Sequence, residues 1–143
     1  MISFTPFENK ILENENVARM ATSDISGLIS VVPICFVFDG EYIFTPIDNK
    51  PKKTKATKLK RVQNIIESSK AAILVDKYED DWKKLYYLMI RGEAEIIEHG
   101  ELYEKSLNLL CLKYKQYVEM KLPELNLPVI RIKPVNKTFW KAS

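Results

Sequence analysis

The sequence predicts a mainly β, α+β domain: an antiparallel, barrel-like sheet of six or seven strands with two or three helices packed outside it. Three observations carry that expectation. Short apolar segments recur along the chain, punctuated by turn signals such as Asp39-Gly40 and His99-Gly100. Two stretches, near 59–66 and 103–117, show helical spacing instead. Residues 28–38, LISVVPICFVF, are apolar on both faces. A strand of that kind needs a barrel interior or sheet on one side and another element, or another subunit, on the other.

Each element has a local reason. Thr5-Pro6-Phe7-Glu8 has the form of a capping box with Pro at the first helical position, which opens a helix to about Glu13. Residues 17–22, VARMAT, alternate as a strand, and SDISG is a Gly-containing hairpin loop leading into 28–38. After Asp39-Gly40, residues 41–47 (EYIFTPI) return as the next strand. Leu59, Val62, Ile65 and Ile66 mark one face of a helix of about twelve residues. Residues 71–78 read as a buried strand, EDDWKK interrupts, and 85–97 form a long strand with Gly92 as a bulge or bend. Tyr103, Leu107, Leu110, Tyr114 and Tyr117 step by four and three, which predicts one amphipathic helix from Glu101 to about Lys121, stopped by Pro123. Residues 128–134, PVIRIKP, make a short last strand before a polar tail carrying Phe139 and Trp140.

Length and charge bound the function. A chain of 143 residues suits one domain, spanning 1–143, with enough length to bury a core. The net charge of +3 argues against a surface built throughout for nucleic acid. No apolar run approaches the roughly 18 residues that cross a membrane, and MISFTPFENK lacks the layout of a secretion signal. Cys35 and Cys111 sit in apolar surroundings and read as reduced core residues, so cytoplasmic residence is expected. With one histidine and no CxxC spacing, no metal site is expected. No GxGxxG or P-loop pattern occurs among the four glycines.

The most informative feature is the segment 48–61, DNKPKKTKATKLKR, between a predicted strand and a predicted helix. Seven of the twelve residues from Lys50 to Arg61 are Lys or Arg, and none is acidic. A strand-to-helix junction already presents free N–H groups and a positive dipole end, so cations there suit a phosphate. That phosphate belongs either to a small cofactor or to a nucleic acid backbone. Lys58, Lys60 and Arg61 lie deeper in the helix, and some of them are expected to be ordinary surface charge.

Together these segments resemble the pyridoxamine 5'-phosphate oxidase-like, FMN-binding split-barrel superfamily. The likeness rests on the order VPICF, DG, TPIDNKPK, then Asp81-Trp82 after a strand ending in Val75-Asp76, and Arg91-Gly92 in the next strand. It covers about residues 7–135, and within the superfamily the nearer likeness is to the branch of deazaflavin (F-420)-dependent enzymes. The resemblance implies a six-stranded antiparallel split β-barrel that forms a homodimer, with FMN or the deazaflavin coenzyme in a groove at the subunit interface. Its phosphate would be held by Lys50, Lys52, Lys53 and Thr54. The flavin ring would lie against Val32, Pro33, Ile34 and Cys35 on one strand and Thr45, Pro46 and Ile47 on another, with Trp82 as a lid or a packed loop residue. The oxidase proper carries an Arg-and-Lys pattern for its pyridoxal substrate and a C-terminal Trp and Arg segment. This chain has no clear counterpart, Trp140 notwithstanding, so vitamin B6 synthesis is not the expected role. The implied activity is an oxidoreductase acting on an unidentified small molecule, with no catalytic dyad required because the cofactor carries the hydride chemistry. A non-catalytic flavin binder and a small β-barrel nucleic-acid binder are the alternatives.

Overall fold

The computed structural model describes residues 2–47 and 59–143. Seven strands form one antiparallel sheet: β1 (Ala18–Ser23), β2 (Ile29–Ile34), β3 (Val37–Phe38), β4 (Ile43–Pro46), β5 (Lys70–Lys77), β6 (Tyr86–Ile97) and β7 (Val129–Lys141). Their spatial order is β2-β1-β5-β6-β7-β4-β3. Strands at opposite ends of that order, β2 and β3, are separated in the chain only by Cys35 and Phe36. Three Cα steps reach at most about 11 Å, whereas a flat seven-stranded sheet is roughly 29 Å across. The sheet therefore has to curl until its edges meet, which is the split barrel expected from the sequence, built with seven strands rather than six.

The expected single strand over 28–38 is thus two strands. At Phe36 the chain leaves one edge and joins the other, so its backbone groups have no strand partner. They bond instead to the Tyr114 hydroxyl, which accepts from Phe36 N at 2.9 Å, and to Lys113 Nζ, which donates to Phe36 O at 3.0 Å. The same need explains a second departure. The helix expected over 101–121 breaks into α3 (Glu101–Lys113) and α4 (Lys115–Glu119), with Tyr114 in extended conformation between them. That break lets Tyr114 reach the crossover while Tyr103 and Tyr117 remain buried in the helix core, as expected. Tyr114 itself is half-buried.

Helix α1 (Pro6–Asn14) starts on the predicted capping box: Glu8 N donates to Thr5 Oγ1 and Thr5 N to Glu8 Oε1. Helix α2 (Lys60–Ser68) is nine residues long, with Leu59 as its N-cap and Ile66 turned to solvent rather than inward. The barrel core joins Met20, Phe36, Ile43, Ile73, Leu88 and Ile132 with Leu12 of α1 and Val62 and Ile65 of α2. A second cluster forms where α3 and α4 pack on the other face of β3, β4 and β7, through Val37, Phe44, Tyr103, Leu110 and Val129. Alternation along β4 serves both clusters, with Ile43 in the barrel and Phe44 toward the helices. The polar tail after Pro134 is not a tail. It continues β7 to Lys141, pairing Phe139 with Leu88 and Trp140 with Tyr87. Most of this segment is exposed and Asn136, Lys137 and Thr138 follow one another, so the strand has no alternating apolar signal. The expected bulge at Gly92 is present as a register shift between Arg91 and Gly92.

Candidate functional site

Both prolines of the candidate set lie where a strand has a free edge. Pro33 belongs to β2, the sheet's outermost strand, and pairs only with Arg19 of β1. Pro46 ends β4 beyond the two residues that β3 covers, so it pairs only with Val129 of β7. A residue without an N–H costs a ladder nothing at such positions. These two open edges face each other across the seam of the barrel. Between them lies a cavity of about 200 Å3 lined by Val17, Pro33, Ile34, Cys35, Thr45, Pro46 and Arg61.

Five of the residues expected from the sequence, Pro33, Ile34, Cys35, Thr45 and Pro46, therefore meet at one place. Three others do not line it. Val32 points the opposite way and packs on the barrel core, and Ile47 is fully buried in that core. Trp82 sits in a 3-10 turn (Trp82–Lys84) between β5 and β6, 67% exposed, behind Asp81, whose carboxylate accepts from Lys83 N. Lys50, Lys52, Lys53 and Thr54 lie outside the described residues. Among the described residues no group of three or more His, Cys, Asp or Glu is arranged to hold a metal. No described helix is long and apolar enough to cross a membrane.

Two residues at the cavity were not singled out from the sequence, Val17 and Arg61. Arg61 was hidden within a run of seven cations, whose composition does not say which one turns inward. The structure separates it from its neighbour. Lys60 reaches away to Asp24, with Nζ 3.3 Å from Oδ2, and so ties the β1–β2 turn to α2. Hydrogen bonds from the Ser26 side chain and the Leu28 N–H hold the Asp24 carboxyl down at about 2, so it stays ionised as that partner. Arg61, one residue on, lines the cavity.

The start of α2 gathers positive charge. Its N-cap, Leu59, offers no side-chain hydrogen bond, and its first turn contains no acid but two cations, Lys60 and Arg61. The positive end of a helix suits an anion, and the Asp24 carboxylate already serves Lys60 there. The opposite side of the cavity is apolar except for the Thr45 side chain and the half-buried free thiol of Cys35. Neither cysteine is a fully buried core residue; Cys111 is also half-buried, and burial pushes its thiol up.

The strand crossover behind the cavity is fixed by a polar clamp. Lys113 Nζ donates to Leu12 O and Phe36 O and stands 3.9 Å from the Phe36 ring centroid. Burial lowers its ammonium to about 8, partly offset by Cys35 and Glu15. Burial pushes the Tyr114 hydroxyl up to about 12, so it stays protonated and can donate to Asn16 O at 2.8 Å.

The sequence profile of the pyridoxamine 5'-phosphate oxidase family matches residues 4–141. No curated protein matches the chain. Among solved structures, HutZ, the heme storage protein from Vibrio cholerae, superposes with TM-score 0.75 at 15% identity, covering 98% of this chain and 95% of HutZ. A conserved hypothetical protein from Mycobacterium tuberculosis gives TM-score 0.75 at 19% identity, covering 98% of this chain and 86% of that one. A FAD-binding protein from Mesorhizobium loti gives 0.68 at 14%, covering 98% and 96%. At these identities the structural likeness concerns the fold.

Proposed function

From its place in the pyridoxamine 5'-phosphate oxidase family, to which the chain belongs, we propose that it binds a flavin-type coenzyme at the barrel seam as a homodimer. FMN is the first choice and the deazaflavin coenzyme F-420 the alternative. The observation that carries the proposal is the convergence of Pro33, Ile34, Cys35, Thr45 and Pro46 with Arg61 on one cavity. That cavity opens where the chain enters and leaves the lysine-rich segment 48–58.

The residues fit the group in kind. A flat, mostly apolar ring matches Pro33, Ile34 and Pro46, and a phosphate close to a dianion matches Arg61, the start of α2 and the lysines before it. They do not fit it in size. Pockets that enclose a ligand run to about 300–1,000 Å3, and this one offers about 200 Å3. The remainder has to come from other surfaces, and the outer face of β2 suggests which. Ile29 (67% exposed) and Val31 (62%) continue the line of Pro33 along that strand, with Leu28 exposed beside them. A second copy covering this apolar strip would close the site.

When bound, the coenzyme supplies hydride transfer to or from a small molecule. The chain's own residues orient the ring, exclude water on the Pro33 and Pro46 sides and neutralise the phosphate. A second reading, storage of the coenzyme without turnover, draws support from the likeness to a protein described as a heme storage protein.

Flavin titration of three variants tests the proposal. Lys52→Ala with Lys53→Ala, and Arg61→Ala alone, should each weaken FMN binding about tenfold or more, the worth of a charge-assisted hydrogen bond. Lys58→Ala with Lys60→Ala should weaken it less, because Lys60 is engaged by Asp24. Equal losses in all three, or none, would overturn the phosphate grip.

A further inference from the structure

A second, larger cavity of about 640 Å3 lies on the outer face of the sheet, away from α2's first turn. Its floor is a row of register partners: Ala21 on β1 faces Ala72 on β5, Ala72 faces Arg91 on β6, and Arg91 faces Asn136 on β7. The two alanines make the floor low, and Ile29 and Val135 give apolar walls on either side. Lys70 and the Arg91 guanidinium bring two cations to it.

Arg91 differs from other arginines of the sheet. Arg19 is neutralised by Asp76 at 3.0 Å and Arg131 by Glu95 at 2.6 Å. Among the described residues Arg91 has no carboxylate partner, and it donates to the neutral Asn136 Oδ1 at 3.2 Å. Its direction is built into the backbone. The β6–β7 register shifts between Arg91 and Gly92, and a Cβ on Gly92 would lie 2.4 Å from Lys133 O, so the bulge requires glycine. Bulges of this kind re-aim a side chain and recur beside binding sites. At the groove's end Ser69 is held at φ 59°, a left-handed conformation uncommon outside glycine and asparagine.

We propose that this groove is a second ligand site, taking a small molecule with an apolar body and one oxyanion, a carboxylate or phosphate, that pairs with Arg91 and Lys70. The body lies over Ala21 and Ala72 between Ile29 and Val135, and Glu93 at the rim accepts from a hydroxyl or amine on the ligand. The site takes its own ligand, although its Ile29 wall belongs to the β2 strip assigned above to the second copy.

Fluorescence titration with anilinonaphthalene sulfonate, an apolar body bearing one anion, tests it on the full chain. Binding should saturate at one probe per chain. Arg91→Gln and Lys70→Gln should each weaken it about tenfold or more, and Ala72→Leu should abolish it by raising the floor. Lys70 is exposed, so that variant remains informative if Ala72→Leu fails to fold. Displacement by benzoate but not phenyl phosphate identifies a carboxylate ligand, and the reverse a phosphate. Unsaturable binding, affinity unchanged from the parent protein in Arg91→Gln and Lys70→Gln, or displacement by neither competitor would overturn the proposal.

Discussion

Replacing Tyr114 with Phe removes one oxygen and leaves every apolar contact of the ring in place. That oxygen accepts from Phe36 N at 2.9 Å and lies 2.8 Å from Asn16 O and 2.9 Å from Phe36 O. One hydroxyl hydrogen serves only one of those carbonyls at a time, and Phe36 O keeps the Lys113 ammonium at 3.0 Å. The certain orphan is therefore the Phe36 N–H, beside a side chain that is fully buried. An unsatisfied buried donor costs about 1–3 kcal/mol. For a domain of this size that is a fall in Tm of roughly 3–12 °C. Calorimetry gives the total, and amide hydrogen exchange assigns it. In Tyr114→Phe the Phe36 amide should lose protection by about the same free energy, while the β6–β7 ladder loses no more than the global change. Because Cys35 adjoins Phe36 and lines the seam, coenzyme affinity should fall as well. A Phe36 amide that stays as protected as in the parent protein would refute the claim that Tyr114 completes the crossover.

Two further outcomes follow from the same geometry. Burial lowers Lys113 from 10.5 to about 8 in the folded protein, so between those values the unfolded chain binds more protons and stability rises with pH. The Tm of the parent minus that of Lys113→Met should therefore increase from pH 7.5 to pH 10 (on the order of that window), and a flat difference would contradict the buried ammonium. Val31→Asp places a charge on the exposed strip of β2 without touching the barrel core. If two copies meet there, the unpaired charge costs about 3–5 kcal/mol, and the variant should sediment as a monomer at micromolar concentration with unchanged circular dichroism; a dimer of parental affinity would exclude this face.

Much of the fold was legible because local chemistry and tertiary structure agree. Thr5 and Glu8 form the capping box they spell, Asp39 turns the chain through hydrogen bonds from Glu41 N and Tyr42 N, and Gly92 sits at the bulge. The failures share a cause. Cys35-Phe36 looks like mid-strand because both residues are apolar, yet it is the point where the chain passes between sheet edges, a property of closure and not of pattern. Tyr114 keeps helical spacing but is drawn out of the helix to serve that crossover. Residues 135–141 read as polar because four of the seven are Asn, Lys or Thr, and most of the segment is exposed along β7. At the site, pattern found the two strands, since proline on a free edge and a doubly apolar run are visible in one dimension. It did not find Arg61, because choosing one cation among seven depends on where α2 begins relative to the seam. Val32 and Ile47, grouped with the seam residues in the sequence, pack on the barrel core, a placement that alternation about a curled sheet decides.

The most direct test compares FMN with riboflavin, which has the same ring and no phosphate, by titration with fluorescence readout. A coenzyme anchored by Arg61 and the cations around the start of α2 should bind at least tenfold more tightly as FMN. Equal affinity for the two, or no saturable binding of either, would contradict a phosphate grip at the seam.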